Sequence, residues 1–434
     1  MTSSKSSTKL KEVAERAKRD PEGQFFSLAY LIDFETLKTS FGRIKNKAAA
    51  GVDGVTKAEY AKELEANLKD LHQRMREGRY RHQPVKRVHI PKGQGKTRPI
   101  GISTIEDKVV QGALQMVLEP VYENTFLECS MGFRRGRSQH GAIKVLNRLA
   151  QSNKMNWVLE IDIMSFFDSI NRKMLMEMLR VRVPDGSIKR LIGKCLKVGV
   201  LDGEEWTSPE TGTTQGSRIS PLLGNIYLHY ALDLWFDKIV KARLQGEANL
   251  IRFADDAIIG FENHEDAVRV LEVLKKRLEK FDLKLHPEKT RLVEFKRPRQ
   301  GEKPSTRLQT FDFLGFTAYW RRSRAGGWSM TFKTKSASRS KFLREIYDWC
   351  RRHRHQPVKV QHKALVSRVR GHFQYFGMNG NTKSLHVVRN EVRRTWKKWL
   401  NRRSQRSRLT WERFKDLLRD FPLPQAKVYV QIWT

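Results

Sequence analysis

The chain has 434 residues, and its 84 Lys plus Arg against 47 Asp plus Glu give a formal charge of +37. That length suits roughly two to three domains of about 150 residues each, and 39% hydrophobic with 10% aromatic residues excludes wholesale disorder. Cys129, Cys195 and Cys350 lie far apart, which excludes a disulfide scaffold and a paired-cysteine zinc module.

No apolar run approaches the roughly 18 residues of a membrane span, and the N-terminus lacks a secretory pattern. The expectation is a soluble, cytoplasmic protein kept in a reducing environment. Residues 321–434 hold 29 Lys or Arg against 6 Asp or Glu, or +23, while the first 320 hold 55 against 41, or +14. Six of the ten tryptophans, Trp328, Trp349, Trp396, Trp399, Trp411 and Trp433, fall in the same basic tail. Lysine and arginine release counterions from phosphates, and interleaved aromatics supply a core or a stacking surface. Charge spread over several segments fits nucleic acid better than a single membrane-surface helix.

In chain order, residues 1–20 are Ser-, Lys- and Thr-rich with no apolar face sustained beyond a turn, which predicts a loose basic arm. From Leu28 to about Gly78 the spacing is helical, broken by a glycine-rich loop at 48–54. Residues 85–90 alternate as a strand does, 91–99 (PKGQGKTRP) read as a tight basic turn, and Ile100 resumes the return strand. Residues 106–122 are predicted helical. A strand over 157–163 places Leu159, Ile161 and Ile163 on one face and Val158, Glu160 and Asp162 on the other. Asn171 is a plausible cap for a helix with Met174, Leu175, Met178 and Leu179 on its core stripe. Residues 251–261 form an apolar hairpin with Ala254-Asp255-Asp256 at the tip, 296–310 a linker, and 311–316 a strand. From about 338 to 418 everything reads as helix, broken near Gln356-Pro357 and at 377–381. The predicted class is an α+β body followed by an all-helical basic domain.

Three aspartates carry the chemistry. Adjacent carboxylates at a turn repel one another unless a cation compensates, and alternation gives Asp255 and Asp256 different directions. If Asp162 lies beside Asp255, two hard oxygen ligands converge where a polyphosphate can complete the shell of Mg²⁺. Two such ions about 4 Å apart activate a hydroxyl and stabilise a leaving pyrophosphate. Gly95-Lys96-Thr97 looks like the end of a P-loop, but that motif needs a glycine where Ile90 stands and a helix rather than a strand after it. An NTPase is therefore excluded.

DIMSFFDSI, TTQGSRISPLLGNIYL, IRFADDAIIGF, HPEKTRL and FDFLGF are all present, with PKGQGKTRPIG before them. Together they resemble a group II intron reverse transcriptase of the intron-encoded maturase type, over residues 25–420. The resemblance implies a right-hand polymerase, with fingers and a palm built on an antiparallel sheet, followed by an all-helical thumb or maturase domain. Its boundaries fall as a basic arm over 1–24, N-terminal extension and fingers over 25–155, and palm over 156–295. Linker and junction strands then cover 296–337, and helical thumb with a short basic C-terminus 338–434.

It further implies catalytic roles for Asp162, Asp255 and Asp256, with two Mg²⁺ (or Mn²⁺) at Asp162, Ile163 and Asp255. The dNTP would meet Lys92 and Arg98 at the fingertip, Phe167 as a steric gate, Gln215-Gly216 as the QG box, and Lys289. Arginine suits the triphosphate because its planar fork binds phosphate bidentately. AAAGVDGVT, with Gly51 and Gly54, would contact template, and Arg370, Arg393, Arg394 and Lys397 would grip RNA. Tyr375 and Phe376 read as packing residues.

The box is FADD where the family usually has YADD, so Phe253 lacks a hydroxyl; activity is expected to survive. The chain stops soon after its last thumb-like helix, so an endonuclease domain and second-strand nicking are expected absent. The implied partners are intron or other structured RNA, a primer–template duplex, dNTPs and target DNA, with no membrane and a homodimer left open. The implied location is bacterial cytoplasm, at the nucleoid when bound to DNA. An RNA-binding splicing factor without polymerase activity, and a domesticated enzyme of DNA repair or phage defence, remain as alternatives.

Overall fold

The computed structural model describes residues 3–93, 96–152, 154–202, 205–207, 212–213, 216–301, 308–323, 326–404 and 408–433. Its first element is a helix, α1 (Ser3–Arg19), where a loose arm was expected. Leu10, Val13 and Ala17 give only about one apolar residue per turn, too thin a stripe to read from sequence, yet Val13 and Ala17 are buried. The Arg182 guanidinium fastens the following segment through the carbonyls of Asp20 and Gly23.

α2 (Phe34–Gly42) is capped by Asp33, α3 (Lys57–Tyr60) opens with a capping box between Thr56 and Glu59, and α4 (Leu64–Arg76) follows. β1 (Val85–Gly93) and β2 (Lys96–Ile102) form an antiparallel hairpin, so most of the predicted turn is strand. α5 (Ile105–Glu123) is buried along most of its length, with α1 and α2 packed on it. Then come α6 (Gln139–Gln151), β3 (Trp157–Ile161), α7 (Phe166–Ser169) and α8 (Arg172–Arg182), with Asn171 capping α8 as its sequence predicts.

α9 (Gly186–Leu196), β4 (Val200–Asp202), β5 (Glu205–Thr207) and α10 (Ser220–Leu228) lead into two π-helical turns, His229–Asp233 and Phe236–Val240. β6 (Ala248–Phe253), β7 (Asp256–Phe261), α11 (His264–Glu279) and β8 (Arg291–Glu294) complete this part. One sheet has the order β2-β1-β4-β5, with β4 parallel to β1. A second, β6-β7-β3-β8, is antiparallel throughout, as the resemblance implies for the palm.

β3 departs from the one-sided alternation of a half-buried strand, because both of its faces are covered. Leu159 and Ile161 join the core built with α5, α8 and α10, whereas Val158 joins a second core with α6 and the strands that follow. Those strands are β9 (Phe311–Phe313), β10 (Phe316–Arg322) and β11 (Trp328–Thr334), ordered β11-β10-β9.

Helices α12 (Ser336–Arg352), α13 (Val358–Phe376), α14 (Thr382–Leu400) and α15 (Trp411–Asp420) close around their own core of Val369, Leu385, Val388, Trp396 and Phe414. The first two breaks fall where Pro357 and the Gly377–Asn381 stretch predict them; the break after Leu400 was not foreseen. The C-terminal segment returns to the second core, with Val430 bridged to Met378 and Ile432 buried. Among the described residues no helix is long and apolar enough to cross a membrane.

Candidate active site

Ile161 pairs with Ala257 across the β3–β7 ladder. One step further the register sets Asp162 opposite Asp256, the first residue of β7, which itself pairs with Phe253 of β6. The turn is therefore Ala254-Asp255, and Ala254 sits at φ 57°, a left-handed conformation that a residue with a Cβ keeps only where its surroundings impose it. The Asp162 carbonyl accepts from the His286 amide at 2.8 Å, and Ile163 is bridged to Leu285. Strand register thus gathers the three predicted aspartates at one end of the antiparallel sheet.

Their electrostatics follow from that crowding. Burial raises the Asp255 carboxyl above its ordinary range and the Asp162 charge adds to the effect, against the Asp255 amide, Arg98 and Arg252. Asp256 opens to solvent at its edge, but the protein around its carboxylate strips hydration and pushes it up to about 6. Asp255 and Asp162 reinforce that shift, and Lys335 and Lys289 oppose it. Lys289 Nζ stands 3.2 Å from Asp162 Oδ2, with 55% and 30% of the two side chains exposed. A pair this open contributes about 0–1 kcal/mol and exchanges readily.

A cleft of about 350 Å³ opens here, lined among others by Glu160, Asp162, Asp256, Lys289, Asp312 and Lys335. Its wall joins two sheets: Arg291 pairs with Glu160, the Asp312 amide donates to Glu160 at 2.7 Å, and Lys335 pairs with Asp312 at 3.1 Å. Among the described residues no group of three or more His, Cys, Asp or Glu side chains forms a metal cage. What the site offers instead is carboxylates crowded beyond the compensation of their lysines and open on one side. Such a donor set fits a hard divalent cation that takes its other ligands from phosphate oxygens and water.

Beneath the turn lies a network that the motif reading missed. Arg252 and Asp233 are fully buried and paired, Nη2 to Oδ2 at 2.5 Å and Nε to Oδ1 at 2.7 Å. The same guanidinium donates to Asn225 Oδ1 (3.0 Å), Ser130 Oγ (2.8 Å) and the Ala254 carbonyl (3.0 Å). Asn225 Nδ2 in turn donates to the Gly132 carbonyl at 2.7 Å. Three stretches distant in sequence, residues 130–132, 225–233 and the β6–β7 hairpin, meet at one side chain, and that side chain holds the residue before Asp255. The available signal was a charged residue inside an otherwise apolar strand, which can be buried only with full pairing.

The other predicted positions fare differently. Arg98 is exposed on β2 opposite Ile90, and its charge reaches Asp255 and Asp168. The Lys92 side chain and Gln215 lie outside the described residues. Gly216 has φ 107°, and a Cβ on it would meet the Gly101 carbonyl oxygen at 2.7 Å, so only glycine lets this segment lie against β2. Arg218 anchors the same segment, donating to the carbonyls of Ser40 and Lys108, each at 3.2 Å. Phe167 is half-buried, its ring 5.1 Å from that of Phe166, and a Cβ at Gly224 would come within 3.2 Å of it.

Gly51 requires correction as a contact residue. It is buried, and a Cβ there would stand 2.6 Å from the Thr104 main chain, so its surface is spent on α5 and only Gly54 of the pair is exposed. In the helical region Arg370 and Arg394 are exposed, and Lys397 lies 4.8 Å from the centre of the Trp411 ring. Arg393 is half-buried with an enclosed Nε. Tyr375 packs as expected, stacked on Phe316 with its hydroxyl donating to the Leu314 carbonyl at 2.9 Å.

The antiparallel sheet thus presents clustered aspartates at a hairpin and a strand end, within electrostatic reach of Arg98 on the basic β1–β2 hairpin. Residues 90–318, more than half of the chain, match the family model described as reverse transcriptase (RNA-dependent DNA polymerase); the chain belongs to the reverse transcriptase family. It is 37% identical to Protein YkfC of Escherichia coli K12 over 213 residues, 48% of this chain and 55% of that one. It is 35% identical to the group II intron-encoded protein LtrA of Lactococcus lactis subsp. cremoris over 224 residues, 49% of this chain and 37% of LtrA. An uncharacterized 91 kDa protein in the cob intron of Schizosaccharomyces pombe is 40% identical over 146 residues, 34% of this chain and 18% of that one. The matches span about half of YkfC and about a third of LtrA. They agree with the resemblance to group II intron reverse transcriptases read from the motifs.

Proposed function

We propose that the chain is an RNA-directed DNA polymerase of the group II intron type, which extends a primer 3′-hydroxyl with dNTPs on an RNA template and binds intron RNA to assist splicing and mobility. The convergence of Asp162, Asp255 and Asp256 through the β3–β7 register carries this reading. Two divalent ions, Mg²⁺ or Mn²⁺, held by Asp162, Asp255 and the main chain at Ile163, would supply charge stabilisation for attack on the α-phosphate. Asp256 shapes the field around them. Lys92 and Arg98 clamp the triphosphate from the β1–β2 hairpin, and Lys289 transfers its charge from Asp162 to an incoming phosphate.

Phe167 closes the sugar pocket against a 2′-hydroxyl. Gly216 lets the main chain approach the nucleotide, and Gln215 contacts the incoming dNTP. The region over residues 25–155 acts as extension and fingers, 156–295 as palm, and the helices after residue 338 as thumb, tracking the duplex and gripping structured RNA by shape and backbone. Action on target DNA belongs to the same reading.

Primer extension on an RNA template with Mg²⁺ and dNTPs, with wild type beside Asp255→Ala, tests it. The expected result is extension by wild type alone, with RNA affinity unchanged in the variant. Equal extension by both would overturn the metal-site assignment. No extension by either, with tight salt-sensitive RNA binding, would establish the splicing-factor reading.

A further inference from the structure

Next to the catalytic turn stands an aromatic residue that neither the core nor the proposed machinery uses. Phe133 is 56% exposed and has φ 57°. Single exposed apolar side chains are ordinary on protein surfaces. A bulky residue in the left-handed region is not, and it persists only where the surrounding structure over-determines it.

Here the surroundings do so. On one side, Gly132 lies so close to the hairpin that a Cβ would stand 2.3 Å from the Ala254 nitrogen, while the Met131 amide donates to the Arg252 carbonyl at 2.8 Å. On the other, Arg134 is almost fully buried and donates to a Glu123 carboxylate oxygen (3.0 Å) and the carbonyls of Glu123 (3.0 Å), Leu127 (2.8 Å) and Ser130 (2.9 Å). Arg137 pairs with Glu128 at 2.7 Å. The segment is clamped at both ends, and the conformation it enforces holds an apolar ring in solvent. The Phe133 ring lies 6.5 Å from that of Phe253, at 42°, so the two rings flank the turn that carries Asp255.

We infer that Phe133 is a fixed stacking platform for a nucleotide of the primer–template duplex beside the reacting end. This rests on the polymerase reading for its choice of ligand. A preordered ring loses little conformational freedom on contact, and a base offers it a π-face whatever the sequence. Neighbouring Arg135, 69% exposed although paired with Glu119 at 2.9 Å, adds a cation beside the ring.

The test is equilibrium binding of a labelled RNA-template/DNA-primer duplex without dNTPs, to wild type, Phe133→Tyr, Phe133→Ala and Phe133→Gly, with thermal unfolding alongside. Phe133→Tyr should bind as wild type. Phe133→Ala and Phe133→Gly should weaken binding about tenfold, although glycine relieves the backbone and should unfold no earlier than wild type. Wild-type affinity in both variants would overturn the platform.

Abasic substitution near the primer end, in template or in primer, identifies the strand: the right one erases the difference between wild type and Phe133→Ala. Persistence of that difference in both arms would also overturn it. Duplex binding needs no chemistry, so Phe133-dependent binding by a protein that fails to extend would sink the polymerase reading and leave the platform standing.

Discussion

Arg252 and Asp233 form an ion pair with both side chains fully inaccessible, and the arginine also donates to the Ala254 carbonyl in the turn that carries Asp255. The pair sits on π-helical and β-strand elements that share no local sequence signal. Desolvating the two charges offsets much of their attraction, but removing one partner leaves the other stranded. Asp233→Ala and Arg252→Ala should each lower stability by about 3–5 kcal/mol in urea unfolding. Arg252→Lys keeps the charge and loses the fork, so it should fold better than Arg252→Ala yet extend primers more slowly than wild type. Wild-type extension by Arg252→Lys would show that the turn needs no such support.

Asp256 supplies a prediction about pH. Its carboxyl titrates near 6 in the fold, above the ordinary aspartate value of 3.8, so the native state binds more protons than the unfolded state between those values. Stability from this group is then fully present at low pH and lost as pH rises through 6. In EDTA, Asp256→Asn should gain on wild type in melting temperature as pH goes from 5 to 7.5, and added Mg²⁺ should narrow the gap. A gap independent of pH would contradict the crowding of these carboxylates.

Phe167 lies against Phe166, and both rings press on the space left by the absent side chain at Gly224. Phe167→Ala should open the sugar pocket and raise rNTP relative to dNTP incorporation by about 10–200-fold, measured as the ratio of kcat/KM values. Unchanged selectivity would retire it as a gate. Gly224→Ala should push the ring and slow dNTP incorporation.

Arg370 and Arg394 are exposed on α13 and α14. Their joint charge reversal should weaken RNA binding and flatten the plot of log affinity against log salt by about 1.5, as expected for two lost phosphate contacts. The same slope in variant and wild type would place the RNA elsewhere on the protein.

Elements set by near neighbours were legible in the sequence. The Asn171 cap, the 85–102 hairpin, the Ala254-Asp255 turn and the helix break at Pro357 each depend on residues within a few positions. Alternation in β3 was also seen, but whether one face or both would be covered depended on partners far away. Asp162 and Asp255 were legible as chemistry because two short motifs each hold a carboxylate at a strand end.

Asp312 and Lys335 were not, since only the meeting of the second and third sheets brings them to that cleft, beside the Glu160 that alternation had already placed on the Asp162 face. Gly51 shows the reverse error: a glycine-rich loop suggested a free contact surface, and close packing against Thr104 consumed it.

The sequence by itself determined the class of the protein: its charge, its periodicities and the order of its aspartate-bearing motifs are properties of short segments and simple sums. Tertiary structure alone decided how those segments are held. It helically ordered the N-terminal residues, laid β4 parallel to β1, brought the C-terminal segment back to Met378, and buried Arg252 against Asp233. Each outcome is a choice among distant partners that bury comparable surface, and no local propensity ranks those partners; only packing the whole chain against itself does.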